Sequence, residues 1–409
     1  MLKKDIEILK TLAVEFKELT GTDRNLALKE LWIRHNALKS ERPLVLCFPE
    51  GAWREILPVE DMICEEPLAK VWERNLRQKI YTMSVLKDDH PFDTVFDVEN
   101  CVVPGDYGVE LANHRTSENG SYAIDAPIKD IEHGVEGLKY RRPVFDAEQT
   151  QHRLETANEI FGGILEVKRF GGVPQWTMGL TSEAIKLIGL EGLMMAMYDQ
   201  PQALHKLMAW LRDEHLNFIS WFENNGLLTL NNTDGYTGSG GVAYTDQLPA
   251  AGYRQGGPAR LKDLWGFAES QETVGVSPEM FAKFVLPYQM PILERYGLNC
   301  YGCCEGVDKR WEYIRKIPRL RRVSVAPWAD QAVMAGVLGR EYIYSRKPNP
   351  TLVCAGEYDE QAICEDLRTT LDIAGGCNLE IILKDTHTVC GQPRRLARWV
   401  EIAKQMTGR

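Results

Sequence analysis

The chain has 409 residues, 44% of them hydrophobic and 26% charged, with a formal net charge of -10. This composition is ordinary for a globular protein and excludes a fibrous or wholly disordered chain. The acidic balance leaves no broad cationic face, which argues against nucleic acid or an anionic membrane as the principal partner.

The start of the sequence leads into a charged amphipathic pattern rather than a signal peptide, and no apolar run approaches the roughly 20 residues that span a bilayer. Ten cysteines in a chain without a secretory signal favour reduced thiols over a disulfide framework. We therefore expect a cytoplasmic protein.

The first part of the chain predicts a helical extension and then the beginning of a sheet. Residues 1–40 predict two amphipathic helices that form a cap. The apolar run 44–48 predicts a buried strand, 66–88 a long helix and 94–103 a second strand. The region 104–160 mixes Gly, Asp, His and Pro without a clear period, so we expect a loop-rich insertion with β-ribbons that forms a lid over one face.

From residue 164 onward, short apolar runs alternate with helical patterns. The predicted strands are 164–167, 227–230, 261–268, 298–302, 322–325, 341–344 and 379–383. The predicted helices are 182–197, 201–224, 278–296, 308–316, 330–338, 359–374 and 393–406. Alternation of this kind predicts a parallel sheet and an α/β fold. From the strand count we favour a (β/α)8 TIM-type barrel over residues 41–409, with an open doubly wound sheet as the alternative.

Polar residues directly follow six of the predicted strands, where the active sites of β/α barrels lie. Glu269 and Asp234 are candidate general acids or bases, and Lys347 and Asp385 are candidates for orienting substrate or moving protons. The candidate substrate-binding residues are Asn232, Trp265, Gln271, Tyr301, Trp328 and Lys384. Surface salt bridges are the plain alternative for Lys347 and for the Lys384-Asp385 pair. Trp176 and Tyr236 would extend an aromatic wall, although core packing explains such residues equally well.

Cys303 and Cys304 are the most specific feature, because two adjacent thiols followed by a carboxylate can bind a thiophilic metal such as zinc. His387 and Cys390 are the best distant co-ligands, and Glu269 is another. The alternatives are that the cysteines are small buried hydrophobes and that His387 only caps a helix or makes a hydrogen bond.

Two segments resemble the uroporphyrinogen decarboxylase superfamily, and within it the corrinoid-dependent methyltransferase branch. The first runs from Trp265-Gly266-Phe267-Ala268-Glu269 to Tyr301-Gly302-Cys303-Cys304-Glu305, and the second is Ile381 to Pro393. The resemblance is best over 225–405. It implies a β/α barrel that transfers a methyl group between a small methylated compound and the cobalt of a separate corrinoid protein.

The same resemblance bears on the metal. Methyltransferases of this branch commonly bind zinc through a His-x-Cys pair and a later Cys-Gly. Tyr301 stands in place of that histidine, Cys303 matches the first cysteine, and Cys390-Gly391 is the candidate for the second. Cys304, Glu305, His387 or Glu269 would complete the set. Asp385-Thr386-His387 begins like a corrinoid-binding signature, but Cys390 occupies its glycine position, so we expect the corrinoid to be carried by a partner protein.

Three hypotheses follow. The first is a methyltransferase acting on a methoxy, methylamine or thioether compound, with a corrinoid protein as partner. The second is a metal-independent decarboxylase or lyase of the same barrel in which Lys347, Lys384 and Asp385 act, although the arginine-rich N-terminal motif of the decarboxylases is not found. The third is a non-catalytic barrel that binds a small molecule. A homodimer would be an ordinary assembly for any of them.

Overall fold

The computed structural model describes residues 1–115, 122–174 and 179–408, so Trp176 lies outside the described residues. The helices are α1 Lys3–Thr20, α2 Asp23–Asn36, α3 Trp53–Ile56, α4 Pro67–Tyr81, α5 Ile131–Gly134, α6 Ala147–Phe161, α7 Thr181–Asp199, α8 Pro201–Asn224, α9 Pro278–Phe284, α10 Leu286–Leu293, α11 Trp311–Ile314, α12 Gln331–Leu338, α13 Thr351–Cys354, α14 Glu360–Ala374 and α15 Arg394–Met406. The strands are β1 Leu44–Cys47, β2 Val95–Glu99, β3 Val102–Val103, β4 Ala112–Arg115, β5 Tyr122–Asp125, β6 Val144–Phe145, β7 Glu166–Phe170, β8 Tyr236–Thr237, β9 Gly241–Val242, β10 Trp265–Ala268, β11 Leu298–Tyr301, β12 Leu320–Val325, β13 Ile343–Arg346 and β14 Asn378–Leu383.

A six-stranded sheet organises the C-terminal part of the chain. Its order is β1-β14-β13-β12-β11-β10, and every neighbouring pair is parallel. All residues of β1, β10, β11, β13 and β14 are buried. Parallel strands joined by helices are covered on both faces, which explains why the sequence shows them as continuous apolar runs. The predicted α/β class with a parallel sheet is confirmed.

The predicted strand 227–230 is not one of the assigned strands, but its backbone lies between β7 and β10. The Thr229 amide donates to the Gly171 carbonyl just beyond β7, at 2.8 Å. Next to it, the Asn231 side chain exchanges two hydrogen bonds with the backbone of Trp265, at 2.9 and 3.0 Å. A side chain thus replaces the strand ladder beside β10.

The other edge of the sheet also has a neighbour. The Asp89 amide donates to the Val45 carbonyl of β1 at 2.8 Å, and residue 89 leads into β2, which pairs in parallel with β7. Both edges of the six-stranded sheet therefore have hydrogen-bonded neighbours that lead toward the β2-β7 pair.

The N-terminal helices are built into the rest of the molecule. Helix α1 packs on α4 and α6, with Leu9 and Phe16 fully buried. At the end of α2, His35 Nε2 lies 3.1 Å from a Glu380 carboxylate oxygen of β14. The Asn36 amide donates to the carbonyls of Val242 and Tyr244, at 2.9 and 2.7 Å. The predicted two helices are confirmed, and the second covers one end of the sheet.

The predicted loop-rich region 104–160 contains β-ribbons but is not irregular throughout. Strands β3 and β6 pair antiparallel, as do β4 and β5. The expectation was wrong for residues 147–161, which form α6. Asp146 caps this helix by accepting from the Gln149 amide at 2.8 Å. Its buried residues are mostly near its C-terminal end, so the apolar period was too short to detect. Within the described residues, no helix is both long and apolar enough to cross a membrane.

Candidate functional site

A cavity of about 430 Å³ lies at the carboxyl ends of the parallel strands. It is lined by Glu50, Tyr236, Gln271, Cys303, Cys304, Lys384 and Asp385. These residues come from the segments after β1, β10, β11 and β14 and from the strand β8. Strands β11 and β14 are separated by two others, yet Lys384 Nζ lies 3.6 Å from Cys303 Sγ. The sheet therefore curves around the cavity, which is where ligand sites of α/β proteins form.

The loop after β11 holds the two thiols close together. The sulfur atoms of Cys303 and Cys304 are 3.5 Å apart. Gly302, at φ +89°, takes a left-handed conformation that turns the chain out of the strand. The Glu305 carboxylate then accepts from the amides of Cys303, at 2.9 Å, and Ser270, at 2.8 Å. Glu305 thus fixes the β11 loop against the β10 loop and orients the thiols.

Lys384 is the cation of the cavity. It directly follows the buried strand β14, and its ammonium group lies 3.2 Å from Ser239 Oγ, 3.6 Å from Cys303 Sγ and 3.4 Å from Asp385 Oδ1. Burial alone lowers the pKa of Lys384, but the acidic groups around it, led by Tyr236 and Cys303, outweigh burial and hold this pKa above its ordinary value. The side chain therefore stays charged.

The two thiols differ in acidity. The hydrogen bond from Cys304 lowers the pKa of Cys303 most; burial opposes this and Lys384 adds to it, so the pKa of Cys303 is about 7. The pKa of Cys304 is raised by that same hydrogen bond and by burial. Near neutral pH the pair can hold one thiolate and one thiol.

Glu50 and Tyr236 are further titratable groups of the cavity. The Asp385 amide donates to Glu50 Oε2 at 2.8 Å, which joins the segments after β1 and β14. Burial raises the pKa of Glu50 and of Tyr236, so each binds its proton more strongly than in water. The Tyr236 ring packs edge-on against Phe48 at 5.0 Å between centroids. Sequence reasoning did not assign Glu50 to the site, although its position after β1 obeys the strand-end rule that found the others.

Tyr301, predicted to bind substrate, points elsewhere. Its hydroxyl lies 3.2 Å from Ser270 Oγ and 3.0 Å from Gln289 Oε1, and the residue is 1% exposed. Glu269 is equally buried and accepts from the Gln271 amide at 2.8 Å. Burial, together with the nearby Glu305, raises the pKa of Glu269. Tyr301 and Glu269 therefore lie beside the cavity without being among the residues that line it.

Lys347 belongs to a buried network of hydrogen bonds and ion pairs between polar side chains of the sheet. It donates to Ser345, and burial lowers the pKa of Lys347 to about 7. In the same network, Arg322 Nε pairs with Glu380 at 2.9 Å. A Cβ atom at Gly241 would lie 2.6 Å from Cζ of Arg322, so glycine is required there.

The remaining predicted residues are dispersed. Asn232 and Asp234 line a separate cavity of about 690 Å³, and Trp265 lines one of about 450 Å³. Burial raises the pKa of Asp234 to about 6. Trp328 is 69% exposed. Of the predicted catalytic and substrate-binding residues, Asp385, Gln271 and Lys384 are brought together with the thiols.

Of the four predicted zinc ligands, Cys303 and Cys304 line the cavity, whereas His387 and Cys390 do not. His387 and Cys390 are exposed, and Cys390 Sγ donates to the Cys354 carbonyl at 3.3 Å. A structural zinc site has four protein ligands at roughly 2.0–2.3 Å from the metal. Here the ammonium group of Lys384 lies next to two of the possible ligands, Cys303 and Asp385. Among residues 1–115, 122–174 and 179–408, no group of three or more His, Cys, Asp or Glu side chains is placed to hold a metal ion. In this arrangement Lys384, rather than His387 or Cys390, lies beside Cys303.

Comparison of the chain with protein-family models and with curated proteins found no match.

Proposed function

We propose that the protein is a methyltransferase that moves a methyl group from a small methylated compound to the cobalt of a corrinoid carried by a separate protein. The observation that carries this proposal is the set of titratable groups around one cavity: the Lys384 ammonium, the Cys304 thiol, the Tyr236 hydroxyl and the Glu50 side chain. Transfer of a methyl group leaves an electron pair on the oxygen, sulfur or nitrogen it departs from. A proton or positive charge placed at that atom makes it a better leaving group.

The cavity fits a small donor. Its volume of about 430 Å³ lies in the usual range for small-molecule sites, roughly 300–1,000 Å³. We assign Lys384 and Cys304 to the leaving atom, because both contact Cys303 and Asp385: Lys384 Nζ at 3.6 and 3.4 Å, and Cys304 Sγ at 3.5 and 3.7 Å. Gln271 and Asp385 would orient the rest of the molecule through hydrogen bonds.

The methyl acceptor must reach the donor from solvent. Cys304 and Asp385 are partly exposed, so the cavity has an open side. A reduced corrinoid on the partner would supply the nucleophile for the methyl carbon. Trp328, on the loop after β12, is an exposed aromatic residue suited to contact with that partner.

We also propose that the sheet closes into a β/α barrel through β2, β7 and the segment 227–231. The hydrogen bonds from Thr229 to Gly171 and from Asp89 to Val45 support closure, because they continue the sheet from both edges. A cytoplasmic location completes the proposal, since two thiols 3.5 Å apart stay reduced there.

Free cob(I)alamin can serve as the acceptor in a direct test, since its absorbance changes on methylation. We expect the protein to accelerate methylation by at least one of three donors: 2-methoxyphenol, dimethyl sulfide or trimethylamine. Lys384→Met should lower the rate by at least about 100-fold, the usual cost of removing one positioned charge or hydrogen-bond donor from a developing negative charge. Lys309→Met, which removes an exposed lysine, is the matched control and should leave the rate unchanged. The proposal would be contradicted if the protein accelerated methylation by none of the three donors.

A further inference from the structure

We propose that the site is metal-independent: the ammonium group of Lys384 occupies the space between Cys303 and Asp385 that a zinc ion would need, and donates a hydrogen bond to the Cys303 sulfur instead. This inference concerns the composition of the site and does not depend on the methyl transfer proposed above.

The position of Lys384 is fixed by its neighbours. The residue follows directly after β14, whose six residues are all buried, and its side chain is only 4% exposed. Nζ lies 3.2 Å from Ser239 Oγ, 3.6 Å from Cys303 Sγ and 3.4 Å from Asp385 Oδ1. A side chain enclosed in this way cannot swing into solvent without losing these contacts.

A zinc ion bound by Cys303 would meet this charge directly. Zinc-sulfur bonds are roughly 2.3 Å long, so the metal would lie within a few ångströms of the ammonium nitrogen. Repulsion between like charges in a buried site is strong because there is little water to screen it. Lys384 already supplies one positive charge beside Cys303 and Asp385, which weakens the electrostatic attraction of these groups for a divalent ion.

The other positions that zinc would use are engaged elsewhere. Tyr301 stands where the resemblance expects a histidine, and its hydroxyl is bonded to Ser270 and Gln289 in the core. The Cys390 sulfur is exposed and bonded to the Cys354 carbonyl at 3.3 Å. Zinc bound at the positions of Tyr301 and Cys390 would have to break these contacts as well as displace Lys384.

Zinc content and zinc binding test the inference without any methyl donor. The full-length protein, purified without chelator, is analysed for metal by mass spectrometry and titrated with zinc by calorimetry. We expect less than about 0.1 zinc per chain, and weak binding. Lys384→Met removes the opposing charge, and Lys384→Cys adds a third thiolate next to Cys303 and Cys304. We expect zinc affinity to rise from wild type to Lys384→Met, and by at least about 100-fold in Lys384→Cys, because ligand count governs zinc affinity.

Two further measurements keep the test decisive. Circular dichroism shows whether each variant is folded, and if Lys384→Cys is not, Lys384→Met alone gives the comparison. Cys390→Ser should leave the zinc content of the protein unchanged. About one zinc per wild-type chain, a loss of zinc in Cys390→Ser, or zinc affinity that no folded Lys384 variant increases would each overturn the inference. Because no methyl donor is present, a failure of the proposed reaction cannot produce these results.

Discussion

Two neighbours lower the pKa of Cys303, and substitutions can separate their effects. The hydrogen bond from Cys304 is the larger cause of its lowered pKa, and Lys384 is the smaller. A lowered pKa means that the reactive thiolate forms at a lower pH than in an ordinary cysteine, whose pKa is about 8.5. We expect the rate of alkylation of Cys303 by iodoacetamide to rise with pH around a midpoint of about 7.

Cys304→Ala should move this midpoint upward, and Lys384→Met should move it upward by less. The rates are measured by mass spectrometry of the peptide that contains Cys303, over a pH series, with Lys309→Met as a control that should keep the midpoint of the wild type. A midpoint unaffected by both substitutions would show that neither neighbour controls the thiol.

Single residues also mark where sequence reasoning succeeds and where it stops. Cys303, Lys384 and Asp385 were found because each lies just after a strand, and the carboxyl ends of parallel strands meet at one edge. Tyr301 has a similar position, but it is the last residue of β11 and its ring turns into the core. The direction of a side chain at a strand end depends on the twist of the neighbouring strands, which no local pattern contains.

At the scale of elements, helix α8 is joined to the segment before β6 by a buried ion pair. Arg141 donates to both carboxylate oxygens of Glu214, at 2.9 and 2.7 Å, and its guanidinium lies 3.7 Å from the Phe218 ring centroid. Arg141 is 7% exposed and Glu214 is 1% exposed. Glu214→Gln leaves a buried guanidinium without its counter-charge, so we expect the free energy of unfolding to fall by about 3–5 kcal/mol.

Urea denaturation followed by circular dichroism measures this loss. Glu136→Gln is the matched control, because its carboxylate pairs with Lys206 on the surface, where solvent screens the interaction. We expect it to change stability little. Equal losses of stability in the two variants would show that burial does not increase the contribution of the Arg141–Glu214 pair to the free energy of unfolding.

The ends of helices and strands were predicted well where a long local pattern defines them and poorly where it does not. Pro201–Asn224 is the predicted helix without change, since its apolar face repeats over many turns. The predicted helix 278–296 is instead two, α9 and α10. Pro287 lacks the amide that would donate to the preceding turn, and the backbone breaks at Val285. The run 261–268 begins with a 3-10 turn at Leu261–Asp263, which a continuous apolar pattern does not reveal.

For the whole molecule, the alternating pattern correctly predicted a parallel sheet, but the sequence did not predict how its edges continue. The segment 227–231 has the composition of a strand, yet the Asn231 side chain replaces backbone pairing with β10. The side-chain amide of Asn231 can replace backbone pairing only because Trp265, more than 30 positions away in the sequence, lies beside it. Curvature and closure of a sheet arise from many such distant contacts and therefore cannot be read from periodicity.

The same distant contacts make residues 1–40 more than a detachable cap. Phe16 and Trp32 are fully buried, and Asn36 Oδ1 accepts from the guanidinium of Arg322 at 2.7 Å. Removing these residues would expose apolar surface and leave Arg322 and Glu380 with fewer partners in a buried site. We expect a chain that begins at Glu41 to lose more than about 5 kcal/mol of stability, as much as the whole stability of many domains.

Thermal unfolding and size-exclusion chromatography of the truncated chain measure this effect, which we expect to appear as early melting or aggregation. Asn36→Ala in the full-length chain removes the contacts of one side chain: it should cost about 1–3 kcal/mol, because the Val242 and Tyr244 carbonyls each lose a donor and Arg322 loses an acceptor. Lys39→Ala, at an exposed position three residues later, should have no such effect. A truncated chain that is monomeric and melts like the full-length protein would mean that the two helices form a separable cap and that the rest of the molecule folds without them.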